Sequence, residues 1–205
     1  MARRASGVGE MRGLVMAGLV AGAALVSVLS VARVILALRS GTIGAPEEPE
    51  AVAPASVPDA DLRGRSLLIP VQGVQPGALS DTFDDSRAGG ARVHHALDIL
   101  APRGTPVLAA EAGRVVRLHN TGAGGITVYE VDPAGRYGYY YAHLDHYADG
   151  LAEGQTVARG QVLGYVGTTG NAPPGTPHLH FAIYEITDPR RPWRGRPIDP
   201  FPLWR

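Results

Sequence analysis

The chain has 205 residues with 27 glycines, 17 prolines and no cysteine, and its 19 basic residues, every one arginine, balance 19 acidic ones to zero net charge. Without lysine there is no P-loop, Schiff-base or biotin- and lipoyl-carrying chemistry; without cysteine there are no disulfides, thiol nucleophiles or thiolate metal ligands. Zero net charge argues against a nucleic-acid binder, and a metal site, if there is one, must be built from histidine and carboxylate.

Arg3, Arg4 and Arg12 precede an uncharged apolar run over residues 13–32, and apolar residues continue to Leu38 after Arg33. Roughly twenty residues at about 1.5 Å each reach ~30 Å, the thickness of a bilayer core, whereas a cleaved signal has an apolar core of about 7–15 residues. Residues 1–12 therefore read as a cytoplasmic basic flank and 13–38 as a transmembrane signal anchor, with cleavage after Ala32 as the alternative. Either way the rest of the chain is expected outside the cytoplasm, on the periplasmic or cell-wall side. Residues 39–62 are rich in Pro, Ala and Glu and lack hydrophobic periodicity. They read as a linker able to hold a domain up to ~70 Å from the membrane when extended.

Residues 63–205 suffice for one core. Short strand-like runs at 67–69, 97–100, 106–110, 113–119, 126–131, 137–143, 155–158, 161–166 and 178–185 alternate with Gly, Pro, Asn and Asp turns. No stretch sustains a helical period. The pattern predicts an all-β domain, mainly antiparallel, barrel- or sandwich-like with long loops. The tail from Ile186 holds five prolines and is expected to wrap the surface irregularly.

All seven histidines fall in this domain: His94, His95, His119, His143, His146, His178 and His180. His178 and His180 are two apart in a strand-like run, so their side chains point into one space. His94 and Asp98 are four apart. Neutral imidazoles and a carboxylate are good ligands for Zn²⁺ and can leave one coordination position open. A His-x-x-x-Asp with a downstream His-x-His in a cysteine-free chain thus points to a metal site.

The segments from His94 to Asp98, Tyr141-Ala142-His143-Leu144, and Gly170-Asn171 through Pro177-His178-Leu179-His180-Phe181 resemble the signatures of lysostaphin-like zinc metallopeptidases, the LytM-type murein endopeptidases. The resemblance runs from about Leu67 to Pro202 and includes Asp81-Thr82-Phe83 and Ile198-Asp199-Pro200. It implies one Zn²⁺ per domain held by His94, Asp98 and His180, with His143 and His178 as catalytic histidines. It also implies a substrate among peptidoglycan stem or cross-link peptides. A metal so held would polarise the scissile carbonyl and lower the pKa of a bound water from about 15.7 to about 7. His178 and His143 would take a proton from water or stabilise the developing oxyanion, in either assignment.

The family commonly has glycine two residues after the first ligand, where this chain has Ala96. If that position requires a positive φ, alanine costs about 1 kcal/mol. His95 is expected to face away from His94, His119 to sit in a turn and His146 at the surface. In a regular strand Tyr139 and Tyr141 share a face with His143, so one of them borders the groove or the two form an aromatic core face. Residues 107–116 and 153–164 also resemble biotinyl and lipoyl carrier strands, a reading that fails for want of lysine. The remaining alternative is an inactive peptidoglycan-binding scaffold or amidase activator of the same fold, which would lack some of the five functional side chains.

Overall fold

The computed structural model describes residues 60–205. The expected basic flank and membrane segment, and the linker as far as residue 59, lie outside the described residues. Among the described residues no helix is long and apolar enough to cross a membrane.

A short helix, α1 (Ala60–Gly64), begins within the expected linker, and its Leu62 is buried in the core. A small hairpin follows, β1 (Ser86–Arg87) and β2 (Arg92–Val93). The main sheet holds β3 (Leu97–Leu100), β4 (Pro106–Leu108), β5 (Gly113–Thr121), β6 (Gly125–Val131), β7 (Tyr137–Tyr147), β8 (Thr156–Val157), β9 (Val162–Val166), β10 (His178–Ile186) and β11 (Gly195–Ile198). Every pairing in it is antiparallel. The described residues adopt the expected all-β, mainly antiparallel class.

Strand β10 is the hub. One edge pairs first with β3 and then with β11, and the other edge pairs with β7. Beyond β7 the order continues through β6 and β5 to β8, while β9 joins the end of β7 to β4. The period-two alternation of β10 sorts its residues cleanly. Leu179, Phe181 and Ile183 enter the main core with Tyr139, Tyr141, Leu97 and Ile99. Ala182 and Tyr184 lie in a second apolar layer with Ala96, Tyr129, Tyr140 and Ala142, against Val116 and Trp193. His178 and His180 belong to this second face.

Two expectations are corrected. Residues 67–69 form no named strand, although Leu68 N–H donates to Ala110 O at 2.9 Å alongside β4. The proline-rich tail is not irregular throughout: β11 is a sheet strand. Pro197 stands opposite Tyr184 on β11, the terminal strand of the order, where a missing N–H interrupts no further ladder. The tail then ends in a 3-10 turn (Phe201–Trp204) whose Trp204 indole donates to Leu67 O at 2.9 Å and packs beside Phe181.

Candidate active site

Three of the expected side chains meet through a cross-strand pair and the turn before it. Asp98 on β3 stands directly opposite His180 on β10, and directly opposed residues of an antiparallel pair share a face. His94 comes from the turn ahead of β3. His94 Nε2 lies 2.9 Å from His180 Nδ1 and 3.0 Å from Asp98 Oδ1, and His180 Nδ1 lies 3.3 Å from Asp98 Oδ1.

The return of Asp98 beneath His94 depends on a left-handed residue between them. That residue is His95 (φ 54), not Ala96. Ala96 therefore carries no positive-φ penalty, and its methyl is fully buried in the second layer. His95 N–H donates to Phe83 O at 2.8 Å, and its ring packs edge-on against Phe83.

Thr82 holds two of the three donors. Its carbonyl lies 2.8 Å from His94 Nδ1, and its hydroxyl accepts the Asp98 N–H at 3.0 Å. His94 Nδ1 also has the Arg87 guanidinium 3.1 Å away, which can only donate; the shorter contact, to a carbonyl that can only accept, favours the proton of neutral His94 on Nδ1, with the lone pair of Nε2 facing the cluster. Asp98 Oδ1 is buried without a well-aligned hydrogen-bond donor. Among His94 Nε2, His180 Nδ1 and Asp98 Oδ1 there is room for one proton at most while the imidazoles are neutral. Such a set of lone pairs suits a cation. Separations of 2.9–3.3 Å also approach the ~3.3 Å edge of a tetrahedron with zinc–ligand bonds of 2.0–2.1 Å.

Arg87 of β1 donates to Asp98 Oδ2 at 2.6 Å, leaving Oδ1 as the oxygen that faces the two imidazoles. Burial opposes the charge on Asp98, but contact with His180 and His94 holds its carboxyl well below the usual carboxylate range. Burial pushes the His180 imidazole down.

His143 and His178 complete the cluster. Their ring centroids are 4.9 Å apart, and His143 is 5.6 Å from His180. Each donates its Nδ1–H to a backbone carbonyl, His143 to Thr169 O and His178 to Thr176 O, both at 2.8 Å. The Nε2 lone pair of each is thereby free, and His178 Nε2 stands 3.8 Å from Asp98 Oδ1. The His143 pKa is pushed down to about 4, by burial first and then by the neighbouring His180.

Of the two outcomes open for Tyr139 and Tyr141, the aromatic core face is the one adopted, and because the strand is not regular His143 does not share it. Val128 of β6 pairs with Tyr141 and Ile126 with Leu144, so β7 spends one residue more than β6. The extra residue accompanies a left-handed turn at His143 (φ 61), whose N–H donates to Gly124 O at 2.8 Å. This bulge turns His143 toward His178 and His180 and returns Leu144 to the core. Tyr139 and Tyr141 are core residues, and Tyr140 is the tyrosine that abuts His180, at 5.9 Å.

The other histidines lie elsewhere. His119 is within β5, not a turn, with its ring near Arg117. His146 is exposed as expected, stacked on Tyr165 and bonded to Asp145. Arg87 was missed in the sequence, since nothing in its spacing marks it. The role of Thr82 as a brace for two donors was missed as well, although the Asp81-Thr82-Phe83 resemblance had drawn attention to the segment.

A family model described as peptidase family M23 matches residues 92–200. The L-Ala–D-Glu endopeptidase of Bacillus subtilis is 39% identical over 130 residues, which is 60% of this chain and 38% of that protein. Among solved structures, the catalytic domain of the antimicrobial peptidase lysostaphin from Staphylococcus simulans is 26% identical. It matches with a TM-score of 0.51 over 62% of this chain and 90% of that domain. A zinc-containing peptidase from Vibrio cholerae, also 26% identical, matches with a TM-score of 0.50 over 64% of this chain and 38% of that one. The aligned part thus spans well under half of the Bacillus and Vibrio proteins.

Proposed function

The chain belongs to peptidase family M23, and from that premise we propose that it is a zinc-dependent endopeptidase that hydrolyses peptide bonds in peptidoglycan stem or cross-link peptides. The observation that carries this reading is the convergence of five side chains on one face of the sheet. Three offer lone pairs to a shared point, and two more imidazoles stand beside them with Nε2 free. An inactive scaffold has no use for all five, so the catalytic reading is favoured over it.

His94, Asp98 and His180 would hold one Zn²⁺. When bound, the ion would supply Lewis acidity toward a carbonyl oxygen and a water molecule. The chain's own contribution is to manage protons and orientation. Thr82 and Arg87 aim the donors of His94 and Asp98. His178 and His143, each with its single proton tied to a backbone carbonyl, present basic Nε2 atoms to the same space. Between them they would accept the proton of the attacking water and return it to the leaving amine, so the pair is regenerated after each turnover. Burial keeps His143 in its neutral, proton-accepting form at neutral pH.

In this reading residues 13–38 anchor the chain in the cytoplasmic membrane, and residues 63–205 form the catalytic domain on the extracytoplasmic side, remodelling wall close to the membrane. Support comes from the basic flank and the length of the apolar run. The test is digestion of purified, differently cross-linked muropeptides by the detergent-solubilised full chain, with products read by mass spectrometry. Release of peptide fragments with new amino termini supports the proposal. Intact muropeptides with the zinc-loaded protein refute it.

A further inference from the structure

We propose that Thr169 is a positioning residue for His143: its hydroxyl ties together the two strands around the bulge, so that its own carbonyl holds the His143 ring in one tautomer and one orientation. This inference rests on the peptidase reading, in which His143 takes part in turnover.

The connections converge on this one residue. Thr169 lies in the segment between β9 and β10. Its hydroxyl donates to Leu144 O at 2.6 Å, the carbonyl of the residue directly after His143. The same oxygen accepts the Ile126 N–H of β6 at 3.0 Å, at the register shift that accommodates the bulge. The Thr169 carbonyl accepts the Nδ1–H of His143 at 2.8 Å. One residue therefore grips both sides of the bulge and the ring it presents.

The close approach this requires is written in two glycines. A Cβ on Gly125 would lie 2.2 Å from Thr169 Oγ1, and a Cβ on Gly170 would lie 2.3 Å from Ala123 O; both residues have positive φ. Asn171 N–H donates to Ala123 O at 2.9 Å, lacing the same two loops once more.

His143 needs such a hold. A non-glycine residue at φ 61 is held away from its preferred backbone, and such conformations persist only where the surroundings over-determine them. A carbonyl free to drift would let the ring rotate, placing the proton on Nε2 as readily as on Nδ1. The lone pair aimed at the site would then be lost in a fraction of the molecules. Thr169 reaches the chemistry only through His143.

The experiment combines kinetics with ¹⁵N NMR of histidine-labelled full chain in detergent. In wild type the His143 signals should show one neutral tautomer, protonated at Nδ1. Thr169→Val keeps the side-chain shape and removes the hydroxyl; where it does not fold, Thr169→Ala, with space for a water, takes its place. The expected result is a mixture of His143 tautomers and a kcat lower by roughly 10- to 100-fold, with KM and bound zinc within about twofold of wild type. Thr169→Ser should restore the single tautomer and most of the turnover. Val115→Ala, a core truncation on β5 away from the site, should lower thermal stability without changing kcat. A hydroxyl-less variant that keeps both a single Nδ1–H tautomer and wild-type kcat overturns the proposal. So does an equal fall of kcat in Val115→Ala. If zinc-loaded wild type cleaves no muropeptide, the peptidase reading fails, while the tautomer populations still decide whether Thr169 holds the ring.

Discussion

Asp98 and His180 stand directly opposite each other in the β3–β10 pair, with Oδ1 and Nδ1 3.3 Å apart, and Arg87 occupies the other carboxylate oxygen at 2.6 Å. One oxygen is fixed so that the other can face the imidazoles. Partners of this kind, which touch a ligand and not the metal, typically change metal affinity 10- to 100-fold when removed. Arg87→Met is therefore expected to weaken zinc binding by about that factor, measured by competition with a chromophoric chelator. Affinity equal to wild type would show that the ion pair does not orient Asp98.

His143 occupies a left-handed conformation that glycine adopts without strain. Replacing it with glycine or alanine removes the same imidazole, so the two variants differ mainly in backbone cost. His143→Gly should be more stable than His143→Ala by about 1 kcal/mol in denaturant unfolding. Both should keep zinc and lose turnover. Equal stabilities would mean that the bulge relaxes once the ring is gone.

Glu130 introduces a pH dependence from the opposite side of the sheet. It is 1% exposed, and burial pushes its pKa from 4.5 up to about 8, while the hydroxyl of Tyr141, donating to Oε2 at 2.7 Å, works the other way. A carboxyl with a raised folded-state pKa binds more protons folded than unfolded, so it lowers stability as pH rises. Its cost begins near the unfolded value of 4.5 and is complete above about 8, reaching on the order of 4–5 kcal/mol. Glu130→Gln should flatten the fall in unfolding free energy between about pH 5 and pH 8. An unchanged slope in the variant would place the dependence on another group.

Tyr141 links the same network to the backbone, accepting from Ala110 N–H at 3.0 Å while donating to Glu130. Tyr141→Phe leaves a buried N–H and a buried carboxyl without this partner and should cost about 1–3 kcal/mol in thermal or denaturant unfolding. A loss below about 0.5 kcal/mol would mean that both groups find new partners.

The His178–His180 pair was legible because a strand's period of two leaves no choice of face. The all-β class was legible from turn spacing, and the resemblance brought His94 and Asp98 into the same set. What stayed hidden has a common cause: it depends on contacts between distant segments. No propensity announces that His143, a non-glycine, will turn left-handed and change face, because the Thr169 and Gly124 loops impose it. The same holds for His95, where the glycine-to-alanine departure drew attention to the wrong neighbour. Arg87 reaches Asp98 only after the hairpin folds back. β11 was masked by Pro197, which is tolerated on a strand at the end of the sheet order.

Metal and cleavage measured on one preparation of the full chain test the zinc-peptidase proposal at its centre. Elemental analysis should find one zinc per chain, and mass spectrometry should find muropeptide fragments with new amino termini. Chelation should abolish both, and added zinc should restore both. His178→Ala should keep the zinc and lose the fragments, whereas His180→Ala should lose both. Peptide-bond cleavage that persists without metal, or a His178→Ala variant as active as wild type, would rule out a zinc peptidase that works through His178.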